Sequence, residues 1–312
     1  MELKKQVGQS HQWKYSLALF GASLIWGFAF VSQSVGARYV GANTFLAARS
    51  WIAVIVLIPV LRVADLIRKK AGLPSSRPAN RTQRRLHMLG GAACGTALFL
   101  ASAAQQIGIS DTTTAKAGFI TALYVVIVPL FSIFVGRAPG KRIWVSVMLG
   151  VIGLYFLCMA DGFSEIRRGD LLMMLCALVF SVQILLVMHF SSMIDGIRLS
   201  FAEVLTEAIL ASVCMLIFEH PTLEALKAAA PALLYAGVMS SGIAYTLQII
   251  GQKGLDPTIA SLIMCLESVF SAIGGWLFLG QRLTARELFG CALMFAAIVL
   301  SQIQDSKGKG NR

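Results

Sequence analysis

Long apolar stretches alternate with short polar connections along the whole chain. An α-helix rises about 1.5 Å per residue, so about 20 apolar residues cross a hydrocarbon core of roughly 30 Å. Stretches of this length therefore predict membrane-spanning helices. Ten are present, at residues 15–34, 43–61, 86–106, 116–135, 143–160, 171–190, 200–218, 230–250, 257–279 and 286–304.

The composition agrees with a membrane protein of many spans. Of 312 residues, 57% are hydrophobic and 13% are charged, and the mean hydropathy is +0.74, which is too apolar for a soluble domain of this size. The first stretch is followed by further spans rather than by a small-residue cleavage site, so it is interpreted as a span and not as a removed signal peptide. The six cysteines lack the paired spacing of a zinc site or a disulfide framework.

The net charge of +12 is unevenly distributed. If the N-terminus is cytoplasmic, the tails and connections on that side carry 19 Lys or Arg and those on the other side carry 7, with eight of the 19 in the connection 62–85. This asymmetry predicts that both termini lie in the cytoplasm. Topology and attraction to anionic lipid account for the basic charge, so no nucleic-acid partner is expected.

Weak internal repetition divides the chain into two halves. The segment Gln105–Gly108 recurs as Gln248–Gly251 at an offset of 143, and Phe134 matches Phe278 at an offset of 144. Each repeat holds five spans, and because five is odd, the second copy enters the bilayer from the opposite side. The predicted fold is an all-α integral membrane protein with ten transmembrane helices in two inverted five-helix repeats. Its parts are an N-tail 1–14, a first repeat 15–160, a second repeat 171–304 and a C-tail 305–312.

Inverted repeats are typical of secondary transporters, in which one half moves against the other around a site near the midplane. Pro129 and the pair Gly274 and Gly275 occupy nearly corresponding places in the two repeats and are candidate hinges or borders of the binding site. Gly91 and Gly95, four residues apart in the third span, predict a close approach to another helix.

Four segments carry a family likeness: LIWGFAF (24–30), AAR (47–49), TTTAKAGFITALYVVIVPL (112–130) and LESVFSAIGGWLFLGQRLTARELFG (266–290). Through them the chain resembles the drug/metabolite transporter superfamily, in particular its ten-span proteins with two EamA domains, over about residues 15–304. The resemblance implies a carrier of small organic solutes, often in the export direction. Two positions depart from the family pattern: Ser268, where the family often has Pro, and Gln281, where it often has Glu.

Glu267 is the most conspicuous polar residue, since it lies roughly 15 Å into the ninth span, near the bilayer centre. Met264, Ser271 and Gly274 share its helical face, so that face is expected to look inward. A carboxylate at this depth costs at least about 2.5 kcal/mol, and it is therefore neutral, paired or hydrated. Two interpretations stay open: a structural hydrogen bond between helices, or a cavity wall that binds a substrate amine or a transported proton.

Arg49 and Glu207 occupy equivalent positions in the second and seventh spans. Because these spans run in opposite directions, the two residues are expected to differ in depth by about 10 Å and not to touch. Arg49 is then either a clamp for a carboxylate or phosphate, which suit its planar donors, or a latch between helices. Glu203 and Glu207 are expected to reach water at the cytoplasmic end of the seventh span.

Other polar and aromatic residues at mid-depth are candidate cavity walls, because amides in hydrocarbon need a partner and face protein or a cavity. The predicted substrate-binding residues are Glu267, Arg49, Trp26, Tyr124, Gln105, Gln183, Tyr245, Gln248 and Ser271. An acid at the midplane and an Arg nearer the outside would suit a zwitterion such as an amino acid.

No HExxH, GxSxG, P-loop or Rossmann glycine pattern occurs, so an enzyme is not expected and neither a metal nor a cofactor is predicted. The expected function is secondary transport of a small metabolite, such as an amino acid, across the cytoplasmic membrane, with export as the direction. Proton-coupled efflux of organic cations or drugs is the alternative, and a channel or a receptor is disfavoured. Expected partners are a small-molecule substrate, membrane lipid and, as a further candidate, a coupling proton; the chain is expected to be a monomer or a homodimer.

Overall fold

Every regular element that the computed structural model describes, within residues 2–111, 114–134, 136, 139–158, 167–279 and 284–302, is helical. The helices are α1 Glu2–Gly36, α2 Ala42–Lys70, α3 Arg81–Gly108, α4 Thr114–Ala122, α5 Tyr124–Phe134, α6 Lys141–Cys158, α7 Arg168–Ser191, α8 Gly196–Phe218, α9 Leu223–Leu234, α10 Tyr245–Gln252, α11 Pro257–Met264, α12 Leu266–Leu279 and α13 Ala285–Gln302, with a π-helical segment Tyr235–Ala244 between α9 and α10.

Eight helical segments of the described chain are long and apolar enough to cross a membrane, which makes this a multi-pass membrane protein. They coincide with eight of the predicted spans. The remaining two predicted spans, 143–160 and 286–304, fall on α6 and α13. Gln281 and the predicted C-tail 305–312 lie outside the described residues.

Short polar side chains define where several helices begin. Asn80 accepts a hydrogen bond from the backbone N–H of Gln83 at the start of α3, at 2.8 Å. Asp256 does the same for Thr258 at the start of α11, at 2.9 Å, just before Pro257 at the first helical position. These side chains satisfy N–H groups that have no partner within the helix, so both helices have fixed starting points.

The fourth and ninth predicted spans are each interrupted once. Leu123 separates α4 from α5, and Cys265 separates α11 from α12. At both places the backbone tightens into three-residue turns: the N–H of Leu123 donates to the carbonyl of Ile120 at 3.2 Å, and the N–H of Ser268 donates to the carbonyl of Cys265 at 3.1 Å. The regular α-helical hydrogen bonding of both spans is therefore broken near their middles.

Neither interruption falls at the glycine and proline positions that the sequence suggested as hinges. Pro129 lies inside α5, and Gly274 lies inside α12. A side chain at Gly274 would come within 3.0 Å of the ring of Phe28. This glycine therefore permits close packing of α12 on α1 rather than a bend.

Glycines also bring α3 against α8. A side-chain carbon at Gly91 would lie 2.5 Å from Ala202, and one at Gly95 would lie 2.4 Å from Thr206. The close approach predicted from the spacing of these glycines is therefore made within the chain. It brings α8, which carries Glu203, against α3.

Helices α6 and α13 form a separate tight pair. A side-chain carbon at Gly153 would lie 2.8 Å from the carbonyl oxygen of Gly290, and one at Gly290 would lie 2.6 Å from that of Gly153. The two backbones therefore touch where neither residue has a side chain.

Helices α2 and α8 are joined near both ends. Where α8 ends, the carboxylate of Glu219 accepts four hydrogen bonds from the start of α2: from the backbone and amide of Asn43 at 2.9 and 3.0 Å, and from the backbone and hydroxyl of Thr44 at 2.8 and 2.6 Å. Burial raises the pKa of this carboxyl, but the hydrogen bonds outweigh it, so its pKa lies below the ordinary value.

At the opposite end of this pair, basic and acidic side chains interlock. Arg198 lies 2.6 Å from the carboxylate of Asp65, which also pairs with Arg77 at 2.9 Å. Arg68 pairs with Asp195 at 2.9 Å. Both ends of α2 are therefore fixed to α8 by polar contacts.

Candidate functional site

A cavity of about 40 Å³ lies between α1, α2, α3, α5, α7, α10, the π-helical segment and the ninth span. This volume holds a few water molecules and is smaller than a small-molecule site, so a bound solute requires the wall to open. Eight of the nine predicted substrate-binding residues line it: Trp26, Arg49, Gln105, Tyr124, Gln183, Tyr245, Gln248 and Glu267.

Glu267 and Tyr124 meet across the cavity. Each lies directly after a helix interruption, Tyr124 as the first residue of α5 and Glu267 in the first turn of α12. The hydroxyl of Tyr124 donates to Oε1 of Glu267 at 3.1 Å. The adjoining break is fixed by Cys265, whose thiol donates to the carbonyl of Ala122 at 3.4 Å.

Glu267 is buried, with 8% of its surface exposed. The ion pairs among the described residues do not include it. Its hydrogen-bond donor among the described residues, the hydroxyl of Tyr124, is neutral. The carboxylate of Glu267 is part of the cavity wall.

Arg49 and Glu207 do touch, so the prediction that they would not is wrong. Their side chains form an ion pair at 3.0 Å, and Ser50 donates to the other oxygen of Glu207 at 2.9 Å. Glu219 aligns the end of α8 with Asn43. From this common level Arg49 is six residues away and Glu207 twelve, which gives depths of about 9 and 18 Å. Counting residues along the helices therefore predicts a separation, but the side chains of Arg49 and Glu207 reach each other.

The prediction that Glu203 and Glu207 reach water is also wrong, because both residues are fully buried. Oε1 of Glu203 accepts a hydrogen bond from Nε2 of Gln183 at 2.7 Å. Oε1 of Gln183 in turn accepts one from Nε2 of Gln248 at 3.1 Å. Two amides that line the cavity thus connect it to a carboxylate behind its wall.

Aromatic rings form another side of the cavity. The rings of Trp26 and Tyr245 lie 5.0 Å apart at an angle of 60°. Tyr245 is the first residue of α10, directly after the π-helical segment, and a side-chain carbon at Gly237 in that segment would lie 2.9 Å from the carbonyl of Arg49. The π-helical segment, whose turns are wider than those of an α-helix, thus lies close against α2 and next to the ring of Tyr245 that lines the cavity.

Several polar atoms at the cavity have no hydrogen-bond partner among the described residues. Two are donors, Nε1 of Trp26 and Nε of Arg49, and one is an acceptor, Oε1 of Gln248. Buried polar atoms without partners are unusual in proteins. Here they belong to residues of the cavity wall, so the wall carries polar groups that the packing of the described residues leaves unsatisfied.

Ser271 is the predicted site residue that does not line this cavity. It lies where α12 crosses α1, and a side-chain carbon at Gly27 would come within 2.8 Å of its backbone N–H. Helical spacing alone placed it on the face of Glu267, but the close approach at Gly27 covers that position.

The sequence analysis missed six residues of the wall. Met264 was placed on the inward face of Glu267 by helical spacing but was not counted as a site residue. Phe180 and Ile184 flank Gln183 on the same helix, so helical spacing could have found them too. Gln33 is an amide in an apolar helix and carried the same signal as Gln105. The complete set of missed residues is Phe30, Gln33, Phe180, Ile184, Ser240 and Met264.

Three comparisons with known proteins agree with one another. The model of the EamA-like transporter family matches two segments of the chain, 13–159 and 167–302. An uncharacterized transporter of Archaeoglobus fulgidus is 28% identical over 289 residues, which are 92% of this chain and 85% of the relative. The uncharacterized transporter YoaV of Bacillus subtilis is 23% identical over 301 residues, which are 95% of this chain and 99% of the relative.

A solved crystal structure shares the fold. It aligns with a TM-score of 0.73 at 22% identity, and the alignment covers 92% of this chain and 96% of the other. The fold is thus common to at least one other chain of similar length.

Proposed function

This chain belongs to the EamA-like transporter family of multi-pass membrane proteins, and from that premise we propose that it is a secondary carrier of a small amino-acid-like zwitterion. It moves the solute across the cytoplasmic membrane by alternating access, in the export direction. The buried carboxylate of Glu267, which lines the central cavity and has no cationic partner among the described residues, is the observation that carries this proposal.

Glu267 supplies the contact for the ammonium group of the solute. An ammonium group in the cavity would pair with the carboxylate of Glu267 while the hydroxyl of Tyr124 keeps its hydrogen bond to Oε1 of that carboxylate. Such a charge-assisted contact is strong in a dry site, because the two charges neutralise each other.

Donors on the side of the cavity formed by the Trp26 and Tyr245 rings supply the contact for the carboxylate group of the solute. Nε1 of Trp26 and Nε of Arg49 both lack partners among the described residues, although Arg49 already pairs with Glu207 through Nη2. A carboxylate near them would satisfy both donors. The distribution of donors and acceptors in the cavity therefore suits a zwitterion.

The proposed architecture has ten spans in two inverted repeats, with both termini in the cytoplasm. Supporting it, the helix interruptions at Leu123 and Cys265 lie 142 residues apart, close to the offset of 143 between Gln105 and Gln248. Tyr124 and Glu267, which meet in the cavity, are also separated by 143 residues. Corresponding breaks in two repeats are the form that transporter binding sites take near the midplane.

Efflux of organic cations is the second candidate function. Two observations favour it. The cavity wall includes the Trp26 and Tyr245 rings, and among the buried residues that the structure describes, Glu203, Glu207 and Glu267 outnumber arginine, which is represented by Arg49. Aromatic faces attract organic cations, and an excess of carboxylates over cations does the same.

Thermal shift with a matched set of probes separates the two candidates. Phenylalanine, phenethylamine and 3-phenylpropionate share one ring and differ only in their charged groups. A zwitterion carrier is stabilised most by phenylalanine, because a ligand that binds the folded state raises the midpoint of unfolding. Equal shifts with phenylalanine and phenethylamine would favour cation efflux instead. If 3-phenylpropionate alone stabilised the protein, the assignment of Glu267 would be wrong.

Variants locate the effect. Glu267→Gln is expected to abolish the shift with both amines, and Trp26→Phe to reduce only the advantage of phenylalanine over phenethylamine. Glu224→Gln makes the same charge change on an exposed residue and serves as the control. Uptake or efflux in proteoliposomes across imposed pH gradients then tests transport, and unchanged flux and pH dependence in Glu267→Gln would contradict the role of this residue.

A further inference from the structure

Glu203 is a second buried acid close to the cavity but outside its wall, and we propose that it holds the proton whose release accompanies substrate binding. Gln183 and Gln248 connect it to the cavity as positioning residues. The inference deepens the proposed function and rests on it, because it assigns the coupling ion of the same carrier.

The local charges single out Glu203. Glu207 is neutralised by Arg49 at 3.0 Å, whereas Glu203 has no ion-pair partner among the described residues. One of its oxygens accepts from Gln183, and the other, Oε2, has no hydrogen-bond partner there. A buried carboxylate in this setting becomes neutral by taking up a proton. The titratable neighbours are Glu207 on its own helix, Cys94 from α3 and Tyr245 from α10, with Arg49 of α2 acting through Glu207.

The amide chain has one direction. Gln248 donates to Gln183 at 3.1 Å, and Gln183 donates to Glu203 at 2.7 Å. The chain therefore begins at the cavity with a free acceptor, Oε1 of Gln248, and ends on the carboxylate. Hydrogen bonds in a chain polarise one another, so a donor bound to Gln248 strengthens each bond that follows.

This direction couples the solute to the proton. An ammonium group has three N–H donors, so one that pairs with Glu267 keeps donors for Oε1 of Gln248, a residue of the same cavity wall. The strengthened chain, together with the positive charge, favours the ionised form of Glu203, and the proton leaves Oε2 for water. The ammonium group thus replaces the positive charge that the proton takes away near Glu203. Because the proposed zwitterion has no net charge, the exchange as a whole moves only the charge of the proton. By reciprocity, loss of the proton strengthens binding of the ammonium group.

The first test measures proton release when phenethylamine binds the purified full chain in weakly buffered detergent solution. Wild type is expected to release protons, and its affinity for phenethylamine to rise by up to about tenfold per pH unit where Glu203 titrates. In Glu203→Gln, binding persists, proton release is lost and the affinity no longer depends on pH in that range. Glu224→Gln, an exposed residue, is the control for the charge change.

A second variant separates the relay from the acid. Gln183→Met removes both amide hydrogen bonds while keeping a side chain of similar length. Glu203 still titrates in this variant, but phenethylamine binding releases fewer protons. An unchanged release would show that the amides transmit nothing and would overturn their assigned role.

Infrared difference spectra across a pH titration test Glu203 without any ligand. A carboxylic-acid C=O band that is present in wild type and in Gln183→Met and absent in Glu203→Gln is the expected result. Identical spectra for wild type and Glu203→Gln would overturn the proposal. Undiminished proton release by Glu203→Gln would also overturn it and would assign the proton to another group, with Glu267 the next to test.

The two proposals fail differently. If phenethylamine and phenylalanine do not bind wild type, the proposed function fails, and the infrared titration still decides whether Glu203 exchanges a proton. If they bind and Glu203→Gln behaves as wild type, only the proton assignment fails. Where Glu203→Gln does not fold, Gln183→Met supplies the comparison of proton release.

Discussion

Glu267 and Glu207 are chemically identical residues on apolar helices, but their neighbours give them different roles. Glu207 is held by Arg49 and Ser50, which satisfy both of its oxygens. Glu267 accepts a hydrogen bond from the hydroxyl of Tyr124 and lines the cavity. The surroundings of each carboxylate therefore decide whether it fixes the fold or is available to a solute.

Removal of Arg49 is expected to destabilise the protein. Arg49→Met leaves the carboxylate of Glu207 buried without a cation, and the loss of one partner of a buried pair costs about 3–5 kcal/mol. The double variant Arg49→Met, Glu207→Met is expected to recover most of the loss, measured by thermal unfolding. Arg38→Met, at an exposed position, is the control. Equal stability of the single and double variants would contradict the importance of the pair.

Loss of the Tyr124 hydroxyl is expected to have a smaller effect. Tyr124→Phe removes the hydrogen bond to Glu267, and a bond to a charged group contributes about 1.5–3 kcal/mol. The unfolding midpoint of the ligand-free protein is expected to fall, while Tyr39→Phe, at an exposed ring, leaves it unchanged. An unchanged midpoint in Tyr124→Phe would mean that the carboxylate finds another donor.

At this scale the sequence predicted most of the polar residues that line the cavity but not which side chains pair with each other. A lone acid, an arginine and several amides in apolar helices indicated a polar interior, because hydrocarbon does not solvate such groups. The pairing of Arg49 with Glu207 depends on side-chain reach between two tilted neighbours, which helix spacing does not encode. The burial of Glu203 depends on the contact of α8 with α3.

Among the elements, α2 depends on a carboxylate from another helix. Glu219 accepts from the first backbone N–H groups of α2, and a side-chain carbon at Gly41 would lie 2.3 Å from that carboxylate. The glycine thus leaves space for the cap, and the cap satisfies donors that the helix itself leaves free.

Acidification is expected to weaken this junction. Because the folded-state pKa of Glu219 lies below its ordinary value, its contribution is complete above that ordinary value and is lost as the pH falls through the lowered one. Glu219→Gln is expected to lower stability at neutral pH by about 1 kcal/mol and to flatten the acid limb of a plot of unfolding midpoint against pH. Glu224→Gln is the control. If the unfolding midpoint of Glu219→Gln fell with acidification as steeply as that of wild type, this account would be contradicted.

The glycine contact between α6 and α13 makes a second prediction for the elements. Gly153→Ala places a methyl group against the carbonyl of Gly290 and is expected to destabilise by about 1–3 kcal/mol, because the backbones must separate. Gly140→Ala has nothing within 4 Å and is expected to change stability by less than about 0.5 kcal/mol. Thermal unfolding compares the two, and equal effects would show that the contact at Gly153 tolerates a side chain.

The helical regions were predictable, but several of their ends and the breaks within them were not; α2, for example, continues to Lys70 where the sequence predicted an end at 61. Apolar stretches of spanning length predicted each helical region, because the bilayer fixes the length that an element needs. The interruptions at Leu123 and Cys265 involve no proline or glycine, so local preference gave no signal. They depend on contacts between the two spans, such as the thiol of Cys265 on the carbonyl of Ala122.

For the molecule as a whole, the charge asymmetry predicts that both termini face the cytoplasm. A fluorescent protein fused after Arg312 is expected to fold and fluoresce, whereas alkaline phosphatase fused there is expected to be inactive. Insertion of each reporter near His220 is expected to give the opposite result. Phosphatase activity at both sites would contradict an even number of spans between the termini.

Helices α2 and α8 come from the two proposed repeats, and polar contacts join them at three levels: Glu219 at one end, the pair of Arg49 with Glu207 in the middle, and Arg198 with Asp65 at the other end. Contacts at three levels oppose any separation of α2 from α8. For the proposed alternating access, we therefore expect α2 and α8 to stay together while the interrupted spans around them open the cavity to either side.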